Sequence, residues 1–187
     1  MRKVFISLVV AVVGCTAVAT ATAGAAPYCG LIWGSLAEHD GRHTSATISN
    51  LRAGEHPCFD RLVIDLGPKE AGLPGPDASG YSVEYVSRIA DDRTGARVAL
   101  TGDADLQIVV HARALDDVSA PTYRPADPAH AVDVSGFQTF RQVAFLGTAE
   151  AQSTIGLGVR ARLPFRVFML AGPGDGARLV VDVAHRW

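Results

Sequence analysis

The stretch RVALTGDADLQIVVHA, residues 97–112, decides the fold class. Its even positions, Val98, Leu100, Gly102, Ala104, Leu106, Ile108, Val110 and Ala112, are all apolar or glycine, while Arg97, Thr101, Asp103, Asp105, Gln107 and His111 make the odd positions mostly polar. Side chains alternate between two faces only in extended chain, so the pattern predicts strand with one face turned to a core. The run is too long for a single flat strand. Gly102 therefore reads as a bulge or corner where the chain passes from one sheet to the next.

The same reading extends outward. Tyr81, Val83, Tyr85 and Ile89 share a parity, and the turn-rich link ADDRTGA (90–96) predicts a hairpin with Gly95 at positive φ. VRARLPFRVFML (159–170) alternates again, with Val159, Ala161, Leu163, Phe165 and Val167 on one side and Arg160, Arg162 and Arg166 on the other. Pro164 within it marks an edge or a break. RLVVDVAH (178–185) closes the domain as a buried strand. The segment 112–142, with Pro121, Pro125 and Pro128, reads as an irregular excursion across the surface. No stretch keeps helical periodicity over three turns, and the reading finds no internal repeat and no interior boundary. The expectation is an all-β, single-domain sandwich of roughly eight mostly antiparallel strands.

The N-terminus addresses compartment. Arg2 and Lys3 precede the apolar run VFISLVVAVV (4–13), and small residues lead to Ala23-Gly24-Ala25. That is the form of a secretory signal peptide, residues 1–25, followed by one domain, 26–187. An alternative stands beside it: VVGC, ending at Cys15, fits a lipobox whose cysteine is acylated to become the new N-terminus. The membrane is a partner only in that lipid-anchored form. Either way Cys29 and Cys58 remain, and in an exported chain two cysteines predict a disulfide. A metal pair is the rival, weakened by the missing C-x-x-C spacing.

Without residues 1–25 the 17 basic residues fall to 15 against 19 acidic, a balance of 15 − 19 = −4. Nothing in that balance points to nucleic acid. The chain carries no G-x-S-x-G, H-E-x-x-H or phosphate-loop motif, and GPGDG (172–176) is followed by no Lys-Ser/Thr. His39, Asp40 and His43 are the nearest approach to a metal set, but Gly41 and polar neighbours make them a loop. Adjacent carboxylates at Asp91-Asp92 and Asp116-Asp117 point to opposite faces of a strand, a poor geometry for acid–base partners. The reading names no catalytic residue, metal or cofactor.

The strand HPCFDRLVIDLG (56–67) opens on a charged pair beside a cysteine. Asp60 and Arg61 point to opposite faces, so each needs a partner elsewhere. Asp60 is expected to meet an arginine or backbone N–H groups, and Arg61 a carboxylate such as Asp182; the cluster is read as structural. The candidate ligand residues are Arg160, Arg162 and Arg166, which on one strand face could bracket the carboxylates or phosphates of an anionic polymer. The plainer reading of that row is a solvated face protecting an edge strand.

Seven segments carry a resemblance: CGLIWGSL (29–36), HPCFDRLVIDL (56–66), GYSVEYV (80–86), GDADLQIVV (102–110), IGLGV (155–159), PFRVFML (164–170) and RLVVDVAH (178–185). In this order they resemble the AMIN-like domain of exported proteins and lipoproteins of high-GC bacteria. The resemblance implies a distant similarity to the AMIN domain, a β-sandwich that targets amidases and secretion pores to the wall by binding peptidoglycan. AMIN domains ride beside a catalytic or pore-forming domain, whereas this sequence ends at Trp187, so any targeted activity is expected on a separate molecule. The expected function is a non-catalytic exported envelope module, its partner a cell-wall polymer or another exported protein. The alternatives are a small secreted hydrolase and an inhibitor or chaperone-like partner of an exported protein.

Overall fold

The computed structural model describes residues 28–42, 46–67, 79–91, 94–172 and 174–187. The signal-peptide and Cys15 readings, and His43 and Asp92, lie outside them. Two antiparallel sheets dominate. One has five strands in the order β1 (Glu38–Asp40), β4 (Tyr81–Val86), β7 (Ala104–Val110), β9 (Gln152–Val159), β8 (Phe140–Ala149). The other has four: β10 (Phe165–Ala171), β11 (Ala177–Ala184), β3 (Phe59–Leu66), β2 (Ile48–Glu55). A small hairpin, β5 (Ile89–Ala90) and β6 (Arg97–Val98), stands apart. The architecture is all-β, with eleven strands among the described residues instead of roughly eight.

Period two builds the core. Leu106, Ile108 and Val110 on β7 are fully buried and meet Leu62 and Ile64 of β3 and Leu179 and Val181 of β11 across the space between the sheets. The run 97–112 divides at Gly102, as its length required: β6 ends before it and β7 begins after it. Gly102 has φ +126°, and a Cβ there would stand 2.5 Å from the Val159 carbonyl oxygen, so only glycine fits the corner. Gly95 turns the β5–β6 hairpin at φ +67°.

Part of the outer face of the five-stranded sheet is covered by the chain itself. Ala144 and Leu146 on β8 form a satellite cluster with Ile89, packed against by Val86, Val98 and Leu100. Gly156 and Gly158 on β9 make this possible, because a Cβ on Gly158 would lie 2.1 Å from the Thr101 carbonyl oxygen and one on Gly156 3.0 Å from Leu100. The bare backbone of IGLGV is the seat on which residues 100–101 lie. Gln142 fastens the cover from the side: its Oε1 accepts from the Thr101 N–H (2.8 Å) and its Nε2 donates to Ala129 O (2.8 Å).

Two expectations need correction. The excursion after Ala112 ends at Thr139 rather than 142, because β8 begins at Phe140, and it is no mere surface run: Ala114, Val134 and Thr139 along it are buried. The row Arg160, Arg162, Arg166 does not share a strand. β9 stops at Val159, β10 starts at Phe165, and Arg160–Pro164 is the crossing from one sheet to the other. Pro164 is the break that the period-two count had run through.

Residues 31–40 strap the two sheets together. Phe165 N–H donates to Gly34 O (2.7 Å), Val167 N–H donates to the Glu38 carboxylate (3.2 Å), and Glu38 itself begins β1 of the opposite sheet. Edge strand β10 thus has backbone donors satisfied by the N-terminal segment rather than left open for another chain. Burial holds the Glu38 carboxyl above its ordinary pKa, and the Val167 N–H pulls it partly back.

Candidate ligand-binding face

Core-facing residues of the four-stranded sheet leave the alternate positions pointing outward: Phe59, Arg61, Val63 and Asp65 on β3, Arg178, Val180 and Asp182 on β11, and Arg166 and Phe168 on β10. Register places Arg61 opposite Asp182, Val63 opposite Val180 and Asp65 opposite Arg178. The sequence explains why. Residues 61–65 read Arg-Leu-Val-Ile-Asp and residues 178–182 read Arg-Leu-Val-Val-Asp. Paired antiparallel about Val63 and Val180, the two copies set the acid of each across from the arginine of the other. The expectation of no internal repeat missed this five-residue signal, too short to stand out until the strands pair.

The two halves of the repeat are used differently. Asp182, 0% exposed, is gripped by two guanidinium groups: Arg61 through Nε (2.6 Å) and Nη2 (2.8 Å), and Arg166 through Nε (2.9 Å) and Nη2 (2.8 Å). The expected partnership of Arg61 with Asp182 is present, with Arg166 added. Bonding to Asp182 holds the Arg61 pKa above its ordinary value, against the opposing pull of burial. Asp65 is instead taken by Arg52 of β2, whose Nε and Nη2 reach it at 2.9 and 3.0 Å. Arg178 donates from Nη2 to Ala171 O (3.0 Å), and its Nε is buried without a hydrogen-bond partner among the described residues.

Aromatic rings surround the doubly held carboxylate. The Arg166 guanidinium lies 4.5 Å from the Trp33 ring centre and 4.9 Å from Phe168; that of Arg61 lies 5.3 Å from Phe59 and 5.5 Å from Phe168. Trp33 leans on Phe59 at 5.5 Å, and His56 stacks on the same ring at 4.6 Å. Each such cation–ring contact contributes about 0.5–2 kcal/mol, depending on its exposure. The Cys29–Cys58 disulfide, found as expected, sets Trp33 over Phe59 by tying the strap to the head of β3. The outward positions of the sheet carry Arg52, Arg61, Arg166 and Arg178 against Asp65 and Asp182, a formal 4 − 2 = +2 on a chain whose net charge is −2.

Asp60 points the other way, into the core. Its carboxylate accepts from the backbone N–H of Thr139 (2.6 Å) and Phe140 (3.0 Å), and its Oδ1 lies 2.9 Å from His185 Nε2. Backbone N–H groups are the kind of partner expected for it; His185 was not foreseen. The pair has 0% and 2% of its side chains exposed, so it ties β3, β11 and the start of β8 together away from any substrate.

The three arginines proposed as one ligand row serve separate ends. Arg160 donates from Nη2 to His185 O; Arg162 donates to Ser35 O (2.8 Å) and lies over Tyr85; Arg166 alone belongs to the aromatic face. His39 and Asp40, expected in a loop, lie instead on β1, and Asp40 is bound bidentately by Arg42. Asp91 and Asp116 close local turns by accepting backbone N–H groups. Among the described residues no three His, Cys, Asp or Glu side chains gather as a metal set.

The outer face of the four-stranded sheet is thus open, cationic and aromatic, on a small all-β domain. The chain belongs to the AMIN-like domain family, whose model matches residues 46–185, a span that takes in both copies of the Arg-Leu-Val repeat and begins after the strap. Domains of this family are, in general terms, non-catalytic binding modules of the cell envelope, typically extracytoplasmic. No curated protein and no solved structure matches it.

Proposed function

We propose that the protein is exported, as the free chain from residue 26 or lipid-anchored through Cys15, and that it binds peptidoglycan through the outer face of its four-stranded sheet. The observation that carries this reading is the platform of Trp33, Phe59 and Phe168 around Arg166 and Arg61. Flat rings accept the apolar faces of sugar rings, and guanidinium groups beside them accept the carboxylates of stem peptides. A platform of this kind can hold a polymer without bond-breaking chemistry. The hydrolase alternative has its best candidate in Asp60 and His185, and that pair is sealed inside the domain.

Co-sedimentation with purified sacculi at low salt tests the proposal. The purified protein is expected in the pellet, with no release of labelled wall. Trp33→Ala or Phe168→Ala should weaken retention about 5- to 30-fold, the range of 1–2 kcal/mol for a contact residue. Arg160→Ala/Arg162→Ala should bind within twofold of the parent. Failure of the parent to sediment, or loss confined to the Arg160/Arg162 double variant, overturns the assignment of this face.

A further inference from the structure

A cavity of about 220 Å³ opens on the same sheet beside the aromatic platform, lined by Arg52, His56, Arg61 and Arg178 with Gly54 and Leu170 at its sides. Three arginines line it. The guanidinium groups of Arg52 and Arg61 are committed to Asp65 and Asp182, but each keeps N–H donors beyond the ones its carboxylate uses. Arg178 has no carboxylate among its hydrogen-bond partners in the described residues, Asp65 being held by Arg52, and its Nε–H is buried and unsatisfied. A buried cationic donor without an acceptor costs stability, commonly more than a neutral one. Among the described residues no acidic side chain lines this cavity.

We propose that this cavity is a binding site for a small oxyanion, a carboxylate or phosphate group, with Arg178 as its principal ligand and Arg52 and Arg61 at its flanks. The acceptor takes Nη donors of the Arg178 guanidinium that Ala171 O does not use and offsets its uncompensated charge. The unequal use of the repeat has a function in these terms: one Arg/Asp pair is closed to hold the platform, and the other is opened, which leaves its arginine at the cavity without a carboxylate. His56 stacks on Phe59, so it adjoins both the cavity and the platform, and a polymer lying across the rings could place an acidic group in the cavity. Only the natural source of the anion rests on the wall-binding reading; the site itself does not.

The test is direct on the parent protein. Arginine Nε–Hε resonances, assigned by through-bond correlation from the backbone, are followed by NMR while inorganic phosphate or acetate is added at constant ionic strength. The Arg178 resonance is expected to shift saturably and further than those of Arg141 or Arg186. Tighter saturation with acetate identifies a carboxylate site, and tighter saturation with phosphate identifies a phosphate site. Arg178→Lys, which keeps the charge but loses the planar fork, should weaken the better anion at least tenfold. Linear shifts shared by all arginines, with either anion, overturn the proposal. Saturable anion binding by a protein that ignores sacculi would keep the site and reject the wall; sacculus binding with no anion response would do the reverse.

Discussion

Asp182→Asn isolates the contribution of the doubly held carboxylate. The substitution keeps the shape of the side chain, removes its charge and leaves Arg61 and Arg166 facing an amide that can accept at only one oxygen. Breaking a buried ion pair from one side costs about 3–5 kcal/mol, because the abandoned charge stays desolvated. Here Arg166 is 41% exposed and can turn partly to water, whereas Arg61 is 25% exposed and pinned between two rings. The expected loss therefore lies near the lower end, about 3 kcal/mol, or a fall in Tm of about 6–12 °C for a chain of this size. Urea unfolding followed by the fluorescence of Trp33 and Trp187 gives the value. The companion variant Arg61→Met removes the cation while keeping an apolar stem between Phe59 and Phe168. Combined with Asp182→Asn it should recover at least about 1.5 kcal/mol relative to the sum of the single losses, since the more buried cation is then gone and only the more exposed Arg166 lacks its carboxylate. A loss below about 1 kcal/mol, or additivity within about 0.5 kcal/mol, would show that the carboxylate is not the organising charge of this face.

Two further outcomes are expected. Peptide mapping without reductant should recover Cys29 joined to Cys58, and Cys29→Ser/Cys58→Ser should lose about 3.5 kcal/mol from the release of a 29-residue loop, read by urea unfolding. Glu38→Gln should raise Tm at neutral pH, with the gain fading as the solution is acidified. The folded carboxyl titrates above its unfolded value of about 4.5, so the native chain binds the extra proton and loses stability as pH rises through that window; glutamine escapes the loss while keeping an acceptor for Val167. A Tm difference that does not change with pH would refute it.

Strands with one clean inward face were legible. β7 shows itself because Leu106, Ile108 and Val110 enter a single core while Gln107 stays outside. Arg61 and Asp182 could be matched because a charge inside an apolar run demands a partner. β8 escaped notice because its pairing with β9 shifts register between Phe140 and Gln142 and again between Phe145 and Gly147, and each shift resets the parity that a period-two count depends on. The arginine row failed for the opposite reason: parity ran smoothly from Val159 to Val167 through a chain that changes sheets at Pro164. The platform itself draws Trp33 and His56 from segments that no periodicity connects to Phe168. Only the disulfide hints at their meeting.

The segment that lies on Gly156 and Gly158 makes the two faces of the molecule unequal. A sandwich has two outer surfaces, and here Leu100, Val98 and Ile89 cover part of one of them. On the wall-binding reading, a monomer that engages through one face decorates a network without cross-linking it, and its dwell time is that of one site. Longer residence must come from outside the fold, either from a second copy acting in tandem or from confinement at a membrane, where tethering raises the effective concentration to the millimolar scale.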